Sequence, residues 1–184
     1  QTLYFNLLIS IQIFINMLLL ESYDYNCLMV QIAIANYAER FKTIINPEHV
    51  YNVEGDDNYG IETNPHITVL YGIHPEITLY DIMNLNLPNI NDLDLNLTKI
   101  DSFNSEKYDV LKFNIVSKEL TKLNKLIKSS VPFTSKYDEY NPHMTIAYLK
   151  PGTAVNYCSK SSKNIKLKAS RYSYSLANGM KYTF

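Results

Sequence analysis

The sequence predicts an α+β fold of two lobes, each built on a strand–helix–strand unit. The chain has 184 residues, 46% of them hydrophobic, which is enough for one substantial core. Two nearly identical strings, 64-NPHITVLYGIH-74 and 141-NPHMTIAYLKP-151, each have the pattern of a buried strand. A strand-like run and a helical pattern precede each string. We therefore expect a duplicated unit, with antiparallel sheets lining a central cleft.

The first unit spans the segment before and including the first string. Residues 27–35 form a near-continuous apolar run of strand length, and residues 36–45 have helical spacing that ends before Pro47. Residues 52–63 are polar and contain glycine, which favours a loop. After the first string, Pro75 is suited to the first turn of a short helix.

The second unit has the same order of elements. Leucines alternate with polar residues over 93–97, as in a half-buried strand, and 110–116 is predicted to be another strand. Ser117 then caps a helix with one apolar stripe and lysines on its wet side. The second string follows a loop over 129–141.

The C-terminal segment is predicted to be a β-hairpin. Residues 170–177 and 180–184 are strand-like, and Asn178-Gly179 between them is typical of a type I′ turn.

Residues 1–20 are treated apart from a single domain predicted over 21–184. From Leu3 to Leu20 the segment is largely apolar and close to the ~20 residues of a membrane helix, but Asn6, Ser10, Gln12 and Asn16 interrupt it. The first basic residue is Arg40 and no convincing cleavage site follows, so it is also a poor secretory signal. We expect residues 1–16 to be a fragment or an upstream misread, with a start at or after Met17. A membrane anchor is the alternative.

Charge is unevenly distributed, although the net charge is only −1. Residues 1–111 hold 4 Lys/Arg and 15 Asp/Glu, whereas residues 112–184 hold 13 and 3. The low net charge argues against a protein that binds long nucleic acid through phosphate neutralisation. The basic second part is suited to attract a small anionic substrate.

The doubled His-x-Thr motif carries the chemistry. Residues i and i+2 of a strand share a face, so His66 and Thr68 point together, as do His143 and Thr145. If the lobes close face to face, two imidazoles and two hydroxyls converge. One histidine then serves as base and the other as acid for phosphodiester cleavage. Each proton transfer accelerates the reaction on the order of 10²- to 10⁴-fold. The residues expected to face the core instead are Ile67, Val69, Tyr71, Met144, Ile146 and Tyr148.

The motif histidines and the two cysteines have other possible roles. A single histidine at the end of a strand is more often structural than catalytic, but two copies in matched strings favour catalysis. Zinc binding is disfavoured because no third ligand stands at a tight spacing. Cys27 and Cys158 also lack Cys or His neighbours at ligand spacing, which predicts neither a metal site nor a disulfide framework. No metal or cofactor is expected, and a reducing cytoplasm is the predicted location.

The doubled Pro-His-hydrophobic-Thr-hydrophobic motif resembles the 2H phosphoesterase superfamily, which includes RNA 2′,5′-ligase-like proteins and cyclic phosphodiesterases. Three segments extend the resemblance to the phage anti-CBASS nucleases, which destroy the cyclic oligonucleotide messengers of a bacterial defence system. These are 54-EGDDNYGIETNPHITVLYGIH-74, 106-EKYDVLKFNI-115 and 142-PHMTIAYLKPGTA-154. The similarity runs from about Tyr25 to the C-terminus.

The resemblance implies roles for particular residues. In the family the motif histidines are the acid and base and the threonines hold phosphate, which transfers these roles to His66, His143, Thr68 and Thr145. Aromatic residues contact the bases, and the candidates here are Tyr25, Phe103 and Tyr140. The chain contains no Trp, so any stacking tryptophan of the family is replaced or absent.

The sequence is therefore interpreted as a metal-independent phosphodiesterase that opens 3′,5′ bonds of cyclic di- or oligonucleotides such as cGAMP. A ribose 2′-OH is the expected nucleophile, giving a 2′,3′-cyclic phosphate on the way to a linear product. The expected partner is this small substrate, without membrane or long nucleic acid. If the gene is carried by a phage, the enzyme acts in the cytoplasm of the bacterial host.

Two alternatives remain. One is an RNA-end or tRNA-fragment 2′,3′-cyclic phosphodiesterase, or a 2′,5′-RNA ligase-like enzyme, against which the missing basic footprint counts. The other is a sponge that binds cyclic nucleotides without cutting them. The intact histidines count against a sponge, because Arg or Lys would serve phosphate binding better.

Overall fold

The structure is a computed structural model, and it describes residues 24–56, 58–137, 139–159 and 164–184. The expectations for residues 1–20 lie outside the described residues. Within the described ranges, no helix is long and apolar enough to cross a membrane.

In the described part of the chain, eight strands and three α-helices form an α+β fold, which confirms the predicted class. The strands are β1 (Asn26–Ile32), β2 (His66–Ile73), β3 (Leu95–Asn104), β4 (Asp109–Val116), β5 (His143–Leu149), β6 (Ile165–Leu167), β7 (Ala169–Ser175) and β8 (Lys181–Thr183). The helices are α1 (Tyr37–Lys42), α2 (Leu79–Met83) and α3 (Lys118–Ser130). Short 3₁₀ turns cover Pro47–His49, Ile90–Asp92 and Ala154–Asn156.

The eight strands make one antiparallel sheet in the order β6-β3-β4-β5-β2-β1-β7-β8. Its two halves are the expected lobes: β1–α1–β2 belongs to the first and β4–α3–β5 to the second. The halves meet where Ile67 of β2 pairs with Met144 of β5. Beyond this junction the two strands part and take other partners, since Ile73 pairs with Phe133 and Ile61 with Ala147. The motif strands therefore lie side by side only at the junction of the two lobes.

One face of the sheet is covered and forms the core. Ser117 caps helix α3, since its side chain accepts a hydrogen bond from the backbone N–H of Leu120, and the buried stripe of the helix packs against β2. A smaller cluster of buried residues around Ile146 and Leu149 supports the second lobe. We call the opposite face, which carries His66 and His143, the site face.

Each motif strand contains a β-bulge immediately after its threonine. Thr68 pairs with Met29 but Leu70 pairs with Leu28, so Val69 is an extra residue in β2. The second lobe repeats this geometry, with Thr145 opposite Lys112, Ala147 opposite Leu111 and Ile146 as the extra residue. The backbone carbonyl of each extra residue accepts a hydrogen bond. The oxygen of Val69 accepts from the side chain of Asn124, and the oxygen of Ile146 accepts from the backbone N–H of Glu62.

The bulges correct part of the predicted core. Ile67, Val69, Met144 and Ile146 are buried as expected, but the residues after each bulge are turned over. Leu70 and Ala147 are buried, and Tyr71 is 47% exposed. A bulge adds one residue to a period of two, so the side chains beyond it exchange faces. Tyr71 and Tyr148 thus join the site face instead of the core.

Smaller differences concern the ends of elements. Helix α1 begins at Tyr37 because Asn36 has a left-handed backbone with φ 54°, the one positive φ of a non-glycine residue among those described. The C-terminal hairpin is present, but its type I′ turn is wrong, since that turn needs a positive φ at Asn178. A bond from Gly179 N–H to the Leu176 carbonyl instead closes a longer loop.

Candidate active site

The two motif histidines are held by the same local device. Each follows Asn-Pro, and each ring Nδ1 lies close to the carbonyl oxygen two residues earlier: 2.9 Å for His66 and Asn64, and 2.8 Å for His143 and Asn141. A carbonyl only accepts hydrogen bonds, so Nδ1 is the protonated nitrogen in both rings. This tautomer leaves each Nε2 to act on a substrate, as lone pair in the neutral ring or as N–H in the charged one.

The antiparallel junction brings the four motif side chains together. His66 lies across the junction from Thr145, and Thr68 lies across from His143, because β2 and β5 run in opposite directions about their shared pair. The imidazoles interact electrostatically, since the charge of His66 is one of the causes that lower the pKa of His143. The structure thus brings these four sequence-predicted residues to one place on the site face.

Two tyrosines fix the motif strands from the core side. The hydroxyl of Tyr37, on α1 of the first lobe, donates a 2.8 Å hydrogen bond to the backbone oxygen of Thr145. The hydroxyl of Tyr140, in the second lobe, donates a 2.9 Å bond to the backbone oxygen of Thr68. Burial raises the pKa of both phenols, so they stay protonated donors. Each lobe therefore anchors the threonine strand of the other.

On the second lobe a buried cation lies beside the motif. Lys112 is 4% exposed and pairs in register with Thr145. Its ammonium donates to the Asn114 side chain and lies 4.2 Å from the centre of the Phe103 ring. Burial lowers the pKa of Lys112, while the Asp101 carboxylate opposes that shift. A hydrogen bond from Lys99 is the main cause that holds the pKa of Asp101 at about 2.

On the first lobe the charged group beside the motif is a carboxylate, that of Glu62. Oε2 of Glu62 lies 3.8 Å from Nδ1 of His66, and the two side chains are 18% and 25% exposed. The other carboxylate oxygen accepts a 2.7 Å bond from the backbone N–H of Asn64, the residue that holds the ring. Glu62 is thus built into the support of His66. The residue opposite Thr68 on β1 is Met29, 6% exposed.

Aromatic rings extend the site face on both lobes. Tyr71 packs edge-to-face against Tyr25 with ring centres 6.1 Å apart, and Tyr25 stacks on His74 at the same distance. On the second lobe Tyr148 contacts Tyr59 and Tyr108, each at 5.3 Å. The ammonium of Lys107 lies over both of these tyrosines. Each motif strand therefore continues into a cluster of aromatic rings.

The candidate aromatic contacts have different surroundings. Phe103 lies on β3, is 43% exposed and meets the His143 ring edge-to-face at 5.0 Å. Tyr25 is half-buried at the edge of the first lobe. Tyr140 is half-buried against the core with its hydroxyl on Thr68, so its position is that of a support for the motif strand.

Four residues of the site region were missed by sequence reasoning: Lys112, Glu62, Tyr71 and Tyr148. A lysine in a strand predicts a solvated side chain, and only its neighbours show that it lies beside the motif threonine. The signal for Tyr71 and Tyr148 was present, since both strings place a tyrosine three positions after the threonine. Among the described residues, no group of three His, Cys, Asp or Glu side chains is arranged to hold a metal ion.

Comparison with known proteins supports the fold and gives the family. Usb1 from Kluyveromyces marxianus superposes with a TM-score of 0.55 at 7% sequence identity, over 88% of this chain and 97% of that one. A crystal structure described as a phosphoesterase superposes with a TM-score of 0.48 at 16% identity, over 88% and 94%. No curated protein matches the sequence.

The sequence profile of the 2′-5′ RNA ligase superfamily matches residues 31–172, which is well over half of the chain and includes both His-x-Thr motifs. The match agrees with the duplicated lobes and with the resemblance to the 2H phosphoesterases, and that resemblance is confirmed at the level of the superfamily. The chain is therefore a member of the 2′-5′ RNA ligase superfamily of 2H phosphoesterases.

Proposed function

We propose that this protein is a phosphodiesterase that cleaves 3′,5′ bonds of small cyclic oligonucleotides with His66 and His143 as its acid–base pair. The observation that carries the proposal is the matched support of the two histidines. Both rings are held through Nδ1 by an Asn carbonyl, and they lie on neighbouring strands that pair at Ile67 and Met144, between the two histidines. Two proton-transfer groups on adjacent strands suit in-line displacement at phosphorus.

The chemistry needs one proton to leave the nucleophile and one to reach the leaving group. A ribose 2′-OH next to the scissile phosphate gives its proton to one histidine as its oxygen bonds to phosphorus. The P–O5′ bond breaks, and the other histidine protonates the departing oxygen. The hydroxyls of Thr68 and Thr145 donate to the non-bridging oxygens, where charge builds up. The product is a 2′,3′-cyclic phosphate on a linear chain.

The aromatic rings support a substrate with a base on each side of the cleaved phosphate. Tyr71 with Tyr25 lies on the first lobe, and Tyr148 with Tyr59 lies on the second. Base–aromatic stacking contributes roughly 1–3 kcal/mol per base and tolerates different bases. A cyclic di- or trinucleotide presents two bases around each phosphate in a compact form. Counteraction of a cyclic-nucleotide defence such as CBASS, in a host cytoplasm, is the biological role that this activity would serve.

An RNA-end 2′,3′-cyclic phosphodiesterase is the second candidate, and membership of the 2′-5′ RNA ligase superfamily favours it. That activity uses the same two histidines but needs only one base beside the phosphate. The aromatic clusters on both lobes therefore favour the cyclic substrate. Mere sequestration of the nucleotide would leave the acid–base geometry without a use.

A substrate panel tests the proposal. The purified protein is incubated in EDTA with cyclic dinucleotides, cyclic trinucleotides, and linear RNA ending in a 2′,3′-cyclic phosphate, and the products are separated by chromatography. We expect the cyclic substrates to be linearised without added metal. Opening of the RNA-terminal phosphate alone would establish the second candidate. Tight binding of a cyclic nucleotide that stays intact would establish a sponge, and activity lost in EDTA and restored by a metal would contradict the metal-free mechanism.

A further inference from the structure

The duplicated lobes differ at one charged position next to the motif. The β1 residues opposite Thr68 and His66 are Met29 and Gln31. The β4 residues opposite Thr145 and His143 are Lys112 and Asn114. Glutamine and asparagine are similar amides, whereas methionine and lysine share a length but differ by a full charge. The symmetry is therefore broken by a single buried ammonium.

A second difference lies before the motif. Both lobes have the sequence Glu-x-Asn-Pro-His, with Glu62 in the first and Glu139 in the second. Glu62 is mostly buried and its carboxylate lies 3.8 Å from the His66 ring, whereas Glu139 is exposed. The same residue type thus faces its histidine in one lobe and solvent in the other. The two differences act in the same sense, with negative charge at His66 and positive charge at His143.

Lys112 is placed to act through His143. At 4% exposure its ammonium is bound inside the protein, by the Asn114 side chain and the face of Phe103. Phe103 in turn meets the His143 ring at 5.0 Å. A buried charge is screened less than one in water, so its field reaches a neighbouring imidazole.

We propose that Lys112 is a positioning residue that keeps His143 unprotonated, so that His143 is the base and His66 the acid of the reaction. This assignment rests on the proposed function. His143 Nε2 takes the proton of the 2′-OH as the new O–P bond forms. The imidazolium of His66, beside Glu62, gives its proton to the leaving O5′. The pair ends with the protons exchanged, and a second step that hydrolyses the cyclic phosphate would reverse both roles.

Charged groups surround the histidine pair on both lobes. His143 is faced by Lys112 from β4 and by His66 from β2; behind Lys112 on β3 lie Asp101 and Lys99. Burial is the largest cause that lowers the pKa of His143, and the charges of Lys112 and His66 lower it further. The Asn141 carbonyl opposes the shift without cancelling it. Near His66 the groups are Glu62 and, two strands away on β7, Arg171 opposite Gln31.

The pH–rate profile of Lys112→Met tests the assignment. Activity rises with pH as the base loses its proton and falls as the acid loses its own, so the base sets the acidic limb. Removing the cation favours protonated His143. We expect the acidic limb to move to higher pH, with several-fold loss at the acidic end and nearly unchanged activity on the alkaline side. Movement of the alkaline limb instead would make His143 the acid and overturn the assignment, as would a profile that does not move.

Three variants serve as controls. Lys112→Arg retains the charge and should retain the wild-type acidic limb. Lys166→Met makes the same replacement at a lysine that is 81% exposed and should leave the profile unchanged. Glu62→Gln should lower activity more than Glu139→Gln, because the Glu62 carboxylate binds the backbone N–H of Asn64, the residue whose carbonyl holds the His66 ring. Equal effects of the two glutamate variants would contradict the inequivalence of the lobes.

An NMR titration of the imidazole signals separates this proposal from the proposed function and from misfolding. The NMR spectrum of Lys112→Met first shows whether the variant is folded. In the folded variant, His143 should titrate at higher pH than in the wild type. This comparison needs no substrate. A protein that cleaves none of the nucleotides but shows the shift would contradict the proposed function alone; an unshifted His143 would contradict the role of Lys112.

Discussion

The hydroxyl of Tyr140 donates a 2.9 Å hydrogen bond to the backbone oxygen of Thr68, so that a residue of the second lobe fixes the motif strand of the first. Tyr37 makes the reciprocal bond to Thr145. These bonds lie where β2 and β5 part, which is where the ladder between the strands ends. They fix the backbone of both strands at the two threonines.

Tyr140→Phe and Tyr37→Phe should each lower kcat by about 10-fold, since a small misplacement of groups around the phosphate is costly. Each loses one buried hydrogen bond, which should reduce the free energy of unfolding by about 1 kcal/mol. Steady-state kinetics and urea denaturation measure the two effects. Tyr137→Phe is the matched control, because Tyr137 is 78% exposed. A wild-type kcat in both Tyr140→Phe and Tyr37→Phe would show that these two hydrogen bonds do not position the site.

A blocked nucleophile tests the attack by the 2′-OH. A cyclic dinucleotide with 2′-O-methyl at the scissile position should bind but resist cleavage, because the oxygen that would attack phosphorus carries no proton for the base to remove. Calorimetry measures the binding and chromatography the cleavage. The same substrate with an unmodified 2′-OH is the control. Efficient cleavage of the methylated substrate would mean that water attacks directly.

Gly72 is required for the pairing of β2 with the segment at Thr134. Its φ is +101°, and a Cβ there would lie 1.9 Å from the Thr134 carbonyl oxygen. Gly72→Ala should therefore destabilise the fold by ~2 kcal/mol or more, as backbone strain and a backbone clash combine. Gly152→Ala, at φ +78° in open space, should cost only about 1 kcal/mol. Chemical denaturation compares them, and equal costs would contradict the close approach.

The thiol of Cys27 should be unreactive in the folded protein. Burial raises its pKa to about 12, although a hydrogen bond with Thr68 works against the shift. Since the thiolate is the reactive form, iodoacetamide at pH ~8 should leave Cys27 unlabelled until the protein is denatured. Peptide mass spectrometry locates the label. Rapid native labelling of Cys27 would mean that the Thr68 side of the site is open at this point.

The sequence was enough to predict the two motif strands, helix α3 and the shared face of each histidine–threonine pair, because these features depend on local patterns. The strings and the cap at Ser117 carry enough information within a few residues to specify strand, face and helix start. Tyr71 was wrongly placed in the core because strict alternation cannot anticipate the extra residue Val69. That residue becomes visible only when its partner strand is known.

The roles of Lys112 and Glu62 depend on contacts that are distant in sequence. The sequence around Lys112 is that of an ordinary strand lysine, and only the pairing of β4 with β5 shows that it lies beside Thr145. Contacts with Phe103 and Asn114 bury its side chain. Glu62 and Glu139 have the same local sequence, so only tertiary structure distinguishes the half-buried carboxylate from the exposed one.

The most direct test of the central claim is cleavage of a cyclic dinucleotide in EDTA by the wild type, His66→Ala and His143→Ala. His49→Ala is the matched control, because His49 pairs with Tyr157 and belongs to neither motif. We predict that the wild type and the control linearise the substrate, while each motif variant remains folded and loses at least ~10²-fold in turnover. Full activity in either motif variant, in a folded protein, would contradict the account.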